Sequence, residues 1–264
     1  RAPLTDAYVS GFHHSGSRAA KSVESTKVEA LAPGTVFGRF QIVRFLGSGG
    51  MGAVYEALHI ELRKRVAIKT LHRSAGLHSE SVTRFVREGQ AASKIRHAHV
   101  VDVSDVGTHE GVPYLVMEYL EGEDLKALLS REKTLAPEPL IELMLPVLAG
   151  VATAHDERIV HRDLKPENIF LSQERHGQVV PKVLDFGISK VMDGNALSLT
   201  NTATLLGTPY YMSPEQARGA KRVRARSDQF ALGVILYEAS CGRKPFDGQS
   251  LFELLNAIVA VNCK

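Results

Sequence analysis

Hydrophobic and polar positions alternate in Phe40-Gln41-Ile42-Val43-Arg44-Phe45-Leu46, stop at a glycine cluster, and resume in Ala53-Val54-Tyr55-Glu56-Ala57. A period of two on both sides of a glycine-rich stretch predicts strand, turn, strand. Residues 65–69 predict a further, mostly apolar strand with Lys69 embedded in it. A helix is expected over about 80–96, where Val82, Phe85, Val86, Ala92 and Ile95 share one face. Turn residues are expected over 105–111 and another strand over 112–117. After that the pattern becomes helical, over 124–130 and 139–158, and Pro146 should kink or interrupt the second helix because it removes a backbone donor. A hairpin over 169–171 and 179–184 follows. Next comes an almost wholly apolar, buried helix over 229–240, opened by Asp228 and stopped at Gly242. An amphipathic helix over 251–261 ends the chain. The expected elements are thus strands first and helices afterwards.

Composition and charge narrow the class without naming a chemistry. The 264 residues are 44% hydrophobic and 23% charged, as in ordinary soluble globular proteins, and 32 basic against 29 acidic residues leave no electrostatic footprint for nucleic acid. Cys241 and Cys263 make neither a disulfide framework nor a zinc pattern, which fits a reducing, cytoplasmic setting. No uninterrupted apolar run approaches the ~18 residues of a membrane span, and the longest candidate, 140–154, is broken by Glu142 and Pro146. The chain opens on Arg1 without a signal segment, so it reads as an internal piece of something longer, with any membrane anchor outside it. Residues 1–33, rich in Ser, Gly, Ala and His, read as a flexible linker or tail, and the adjacent His13 and His14 as solvated rather than metal-binding.

The chemistry concentrates in His161-Arg162-Asp163-Leu164-Lys165-Pro166-Glu167-Asn168 and, beyond the hairpin, Asp185-Phe186-Gly187. A carboxylate able to take a hydroxyl proton, an amide on the same loop and a second carboxylate are the set that phosphoryl transfer from Mg-ATP requires. Upstream, Gly47-Ser48-Gly49-Gly50-Met51-Gly52 satisfies G-x-G-x-x-G. A dinucleotide-binding turn should open a helix, whereas Val54 and Tyr55 start a strand, and no P-loop signature occurs. Glycines here let backbone amides approach phosphate oxygens, so the hairpin reads as a flap over a nucleotide. A lysine among apolar neighbours needs a partner, and Glu88 on the expected helix is the candidate for Lys69. Gly89, beside it in mid-helix, should cost ~1 kcal/mol relative to Ala and leave that helix easily displaced.

Taken in order, these motifs resemble the protein kinases. The glycine stretch and Thr208-Pro209-Tyr210-Tyr211-Met212-Ser213-Pro214-Glu215-Gln216 resemble most clearly the bacterial Hanks-type serine/threonine class. The resemblance implies a two-lobed α+β fold: a β-rich N-lobe over 34–117, a hinge over 118–122, and a mainly helical C-lobe over 123–264, incomplete at its C-terminus. It assigns Asp163 to orient the acceptor hydroxyl and receive its proton, Lys165 to reach the transferring phosphate, and Asn168 and Asp185 to hold Mg2+, with Mn2+ as a substitute. Lys69 would contact the α- and β-phosphates of ATP and pair with Glu88. Leu46, Gly47, Ser48, Gly49, Gly50, Met51, Gly52 and Ala53 would cover the nucleotide. Met117 would stand at the back of the adenine pocket, backbone groups of Glu118 and Leu120 would bond the adenine edge, and Val54, Ala67 and Phe170 would sandwich the ring.

The same resemblance makes the segment between Asp185 and Glu215 an activation segment, with Ser-Pro-Glu in place of Ala-Pro-Glu. Among Ser198, Thr200, Thr202 and Thr204, Thr200 and Thr202 are the expected autophosphorylation sites, with Arg162 as charge partner for the phosphate. Lys165 and Thr208 mark the serine/threonine class, and Asp228 is expected to bond the backbone of the catalytic loop. The arginine that normally pairs with the glutamate at position 215 is absent. Implied partners are ATP, protein substrates with Ser or Thr acceptors, and a second copy for activation-loop autophosphorylation. An ATP-binding pseudokinase or scaffold is the alternative, opposed by the presence of Lys69, Asp163, Asn168 and Asp185 together. A fragment unable to fold alone, exposing an apolar patch, is a third reading.

Overall fold

Along Phe40–Ser48 the first side chains alternate between core and solvent: Phe40 and Ile42 are buried, while Gln41 and Val43 are exposed. The next strand is buried nearly throughout, since it lies inside a sheet. These strands belong to a computed structural model that describes residues 31–48, 52–71, 79–174, 177–186, 209–219, 223–261 and 263. The chain has a β-rich first part and a helical second part, and it divides into two units: residues up to Gly89 with Val103–Leu120, and Gln90–Asp102 with Glu121 onward.

The first unit contains β1 (Val36–Phe37), β2 (Phe40–Ser48), β3 (Gly52–His59), β4 (Arg65–Leu71), most of α1 (Ser79–Ala92), β5 (Val103–His109) and β6 (Val112–Glu118). The strands form one antiparallel sheet in the order β1-β2-β3-β4-β6-β5. Phe37, Phe40, Ile42, Tyr55, Ile68 and Val116 are among the side chains of its core. Leu31 falls in the stretch expected to be a tail, yet it packs on this core, and its N–H donates to the Tyr55 hydroxyl at 3.2 Å.

Residues 105–111 are not a long turn. Most of them belong to β5, and only Glu110 (φ 48°) and Gly111 (φ 76°) turn, as a tight hairpin connection with positive φ at both positions. Being the edge of the sheet, β5 leaves many side chains half-exposed, so it carries little of the alternation by which a strand is read. The helix α1 stops at Ala92, short of the expected end, and Ile95 is buried beyond it.

Gly89 is a close-packing position rather than a weak point. A Cβ there would lie 2.5 Å from Leu115 Cδ1 and 2.9 Å from Val106 Cγ2, and Leu115 is fully buried. Overpacking therefore outweighs the helix propensity gained: Gly89→Ala is expected to lose about 1–2 kcal/mol of stability. Thermal denaturation checks this, and an unchanged or higher Tm would contradict it.

The second unit contains β7 (Gly122–Asp124), α2 (Leu125–Glu132), α3 (Pro137–Asp156), β8 (Ile169–Gln173), β9 (Val179–Val183), α4 (Pro214–Ala217), α5 (Ala225–Cys241) and α6 (Leu251–Ala260), with a small sheet in the order β7-β8-β9. The Asp124 carboxylate caps α2 by accepting from the Ala127 N–H at 2.8 Å. Contrary to expectation, α3 runs uninterrupted through Pro146. The proline deprives the Glu142 carbonyl of a partner, but Glu142 is exposed, so water can satisfy it.

By length and composition alone α3 could cross a membrane. Leu140, Met144, Val147, Val151 and Ala154 instead bury one of its faces in this unit. Gly150, on that face, lets the 97–102 segment approach, with the His99 carbonyl 3.0 Å from where a Cβ would stand. That segment is tied in turn to β9: the Val101 N–H donates to the Val183 carbonyl at 3.0 Å, and the Val183 N–H to the His99 carbonyl at 2.9 Å. The central helix α5 begins before the expected position, so Asp228 sits inside its first turn instead of capping it.

Candidate active site

The loop between α3 and β8 is built around one buried carboxylate. Asp228 is 1% exposed; its Oδ1 accepts from the Arg162 N–H, and its Oδ2 from the His161 N–H and His155 Nε2, each at 2.8 Å. Two consecutive amides pointing at one carboxylate fix the direction of the loop, and Arg162 is held there at φ 69°, a region that side-chain-bearing residues avoid. His161, fully buried, donates from Nε2 to the Leu184 carbonyl at 2.7 Å and accepts the Asp163 N–H at Nδ1 at 3.3 Å. Its ring also lies 4.8 Å from that of Phe186. The Asp228 carboxylate thus positions the loop, and the loop histidine ties it to the strand end that carries Asp185.

Within this frame Asp163, Lys165 and Asn168 come together, and Asp185 follows the strand-end residue that is bonded to Asn168. The Asn168 amide donates from Nδ2 to the Asp163 carbonyl at 2.7 Å, and the Leu184 N–H donates to the Asn168 carbonyl at 2.9 Å. The amide's donor half is thereby used inside the loop, and the half left to bind a cation is its oxygen, the hard ligand that Mg2+ prefers. Lys165 Nζ lies 3.2 Å from Asp163 Oδ2. Asp185 follows Leu184 directly and is held at φ 56°. Gly187 lies outside the described residues.

The first unit carries most of the other residues expected to contact a nucleotide. Lys69, half-buried on β4, is opposite Val54 on β3 and Leu115 on β6, while Ala67 is opposite Met117. Leu46, Ala53, Val54, Ala67 and Met117 are buried, and Leu120 is buried just beyond β6, which ends at Glu118. Gly47 pairs with Val54 and Ser48 with Ala53, closing the arms of the hairpin. At Gly52 a Cβ would stand 1.7 Å from the Thr70 carbonyl oxygen, so only glycine fits. Glu88 is half-buried on α1. In the second unit Phe170 is buried on β8, opposite Lys182 on β9. Gly49, Gly50, Met51, Thr200, Thr202 and Thr208 lie outside the described residues.

Residues 40–261 match the protein kinase domain family. The chain belongs to that family. Its relatives include the serine/threonine-protein kinase PrkC of Bacillus subtilis, 41% identical over 81% of this chain and 32% of the relative. The serine/threonine-protein kinase pkn2 of Myxococcus xanthus is 42% identical over 83% of this chain and 26% of its own length. The chain spans about a quarter to two fifths of the length of the curated relatives it matches. Among solved structures, the PknI kinase domain of Mycobacterium tuberculosis is 28% identical with a TM-score of 0.66, over 84% of this chain and 80% of that one. The expected resemblance to the bacterial Hanks-type serine/threonine kinases and to their fold is thus shown.

Several side chains of the kinase domain escape a reading of the sequence. His155 near the end of α3 reads as an ordinary helix residue, and only the fold brings it to Asp228. Gln216 closes a capping box with Ser213 and donates from Nε2 to the Arg162 carbonyl at 2.8 Å, so it braces the catalytic loop from α4. Glu215 accepts a short hydrogen bond from the Ser227 hydroxyl. Burial alone would push the Glu215 carboxyl up, but the Ser227 hydroxyl and the other donors around it prevail and hold it below the usual carboxylate range. The Ser227 hydroxyl is thus one partner of Glu215 among the described residues.

Proposed function

We propose that this chain is the catalytic domain of a serine/threonine protein kinase that transfers the γ-phosphate of ATP to Ser and Thr hydroxyls. The observation that carries this reading is the Asp163 loop, with both neighbouring amides of residues 161 and 162 on Asp228 and with Asn168 and Lys165 on Asp163 itself. Such a frame holds a carboxylate and a cation at fixed places without waiting for substrate, which is what a reaction governed by positioning and charge needs.

In the proposed reaction the acceptor oxygen forms a bond to the γ-phosphorus as the bond from that phosphorus to the β,γ-bridging oxygen breaks. Asp163 takes the hydroxyl proton, and ADP leaves with the electron pair of the broken bond. Lys165 keeps its ammonium beside Asp163 and meets the oxygens of the transferring group. Lys69, oriented by Glu88, would hold the α- and β-phosphates, and the backbone amides around Gly47, Gly49 and Gly52 would cover them. Leu46, Ser48 and Ala53 belong to the same cover. Val54, Ala67, Met117 and Phe170 would contact the adenine, and Glu118 and Leu120 would bond its edge. Mg2+ neutralises charge on phosphate oxygens when bound, and Asn168 and Asp185 would hold it.

Thr200 and Thr202 would be phosphorylated by a second copy of the chain, with Arg162 receiving the phosphate. In support, Arg162 Nε is buried without a hydrogen-bond partner among the described residues. Transfer of labelled γ-phosphate to the chain or to a Ser/Thr acceptor protein tests the main reading. Transfer is expected with Mg2+, to fall to background on chelation, and to return with Mg2+ or Mn2+. Bound ATP with no transfer under any metal would overturn it.

A further inference from the structure

Glu56 is 4% exposed in the middle of β3, although nothing in the strand pattern sets it apart. A buried carboxylate is tolerated only when its oxygens are taken. Here both are: Arg65 Nε donates to Oε1 and Arg44 Nε to Oε2, each at 2.8 Å. The register explains the meeting. Arg44 on β2 stands opposite Glu56 on β3, and Arg65 on β4 is a diagonal neighbour on the same face, since Glu56 is opposite Ala67.

The two guanidiniums then converge on a single residue. Arg44 Nη2 donates to the Tyr119 hydroxyl at 2.9 Å, and Arg65 lies over the Tyr119 ring with its Cζ 4.0 Å from the centroid. A planar guanidinium held by a carboxylate through one edge can stack or donate through the rest. Tyr119 is therefore gripped at its hydroxyl and on a ring face, by two cations that one anion holds in place. Burial and the Glu56 charge push its phenol up, which keeps the hydroxyl protonated.

Tyr119 lies between Glu118 and Leu120, whose backbone groups would bond the adenine edge; this step rests on the kinase reading above. Leu120, the next residue, is buried, so the segment is fixed at successive side chains. The geometry points to Arg44, Glu56, Arg65 and Tyr119 as a positioning clamp that orients the 118–120 backbone and so sets affinity for the base of the nucleotide. None of these side chains needs to touch the nucleotide.

Steady-state kinetics of the whole chain, together with binding of Mg-ATP and of inorganic triphosphate, test the clamp in Glu56→Gln and Tyr119→Phe. Glu56→Gln is expected to raise the KM for ATP about tenfold, the size of one misdirected hydrogen bond. The rate at saturating ATP and the affinity for triphosphate should stay near those of the parent. Tyr119→Phe keeps the ring and loses the hydroxyl, so it should raise KM in the same direction by a smaller factor, and it covers the case in which Glu56→Gln does not fold. An unchanged KM in Tyr119→Phe, or equal losses for ATP and triphosphate, would overturn the clamp. A parent chain that binds neither ATP nor triphosphate would instead overturn the kinase reading, and the clamp with it.

Discussion

Asp163→Asn is expected to slow phosphate transfer by about 10²–10⁴-fold, the range for losing a positioned proton acceptor. The two side chains have nearly the same size, and the backbone of residue 163 keeps its bonds in the loop, with its N–H donating to His161 and its carbonyl accepting from Asn168. Fold and nucleotide binding should therefore survive. What disappears is the group that can take the hydroxyl proton, together with the partner of Lys165 at 3.2 Å. Rates at saturating Mg-ATP, compared with ATP affinity measured separately, check this. A rate within about threefold of the parent would remove Asp163 from its assigned role.

Asp228→Asn is expected to be the most damaging single substitution for the catalytic loop, costing about 2–4 kcal/mol of stability. Oδ1 accepts one donor and Oδ2 accepts two, all at 2.8 Å, in a site that water does not reach. Whichever way an amide is turned, its NH2 faces a backbone N–H of His161 or Arg162, and that donor is left buried without an acceptor. Net stabilities are only ~5–15 kcal/mol, so the loss is a large share of the total. Because Arg162 is held at positive φ by the same bonds, transfer should fall as well. Denaturant unfolding gives the first number. A midpoint and slope equal to the parent's would mean that the loop does not depend on this carboxylate.

The parts that were legible in the sequence are those where residue type alone dictates the chemistry. Asp163, Lys165, Asn168 and Asp185 read as a candidate set because few reactions need that order of groups; Gly52 reads only as part of the glycine stretch, and the Thr70 carbonyl beside it is a reason that the fold alone supplies. What stayed hidden depends on neighbours distant in sequence. β5 looked like turn because an edge strand with one neighbour shows little burial contrast. Gly89 reads as a weak point because its close neighbours, Leu115 and Val106, are distant in sequence. Pro146 looked like a break, although a helix with an exposed carbonyl one turn earlier tolerates it. Glu56 gives no signal, since a glutamate in a strand normally faces water, and its partners Arg44 and Arg65 come from two other strands.

The most direct measurement is mass spectrometry of the peptides covering residues 187–218 after incubation of the chain, and of Asp163→Asn alongside, with Mg-ATP. Phosphate on Thr200 or Thr202 in the parent and not in the variant is the expected result, since it requires nucleotide, metal, base and acceptor to work together. Equal phosphate in both proteins, or none in a parent that binds Mg-ATP, would contradict a kinase that works through Asp163.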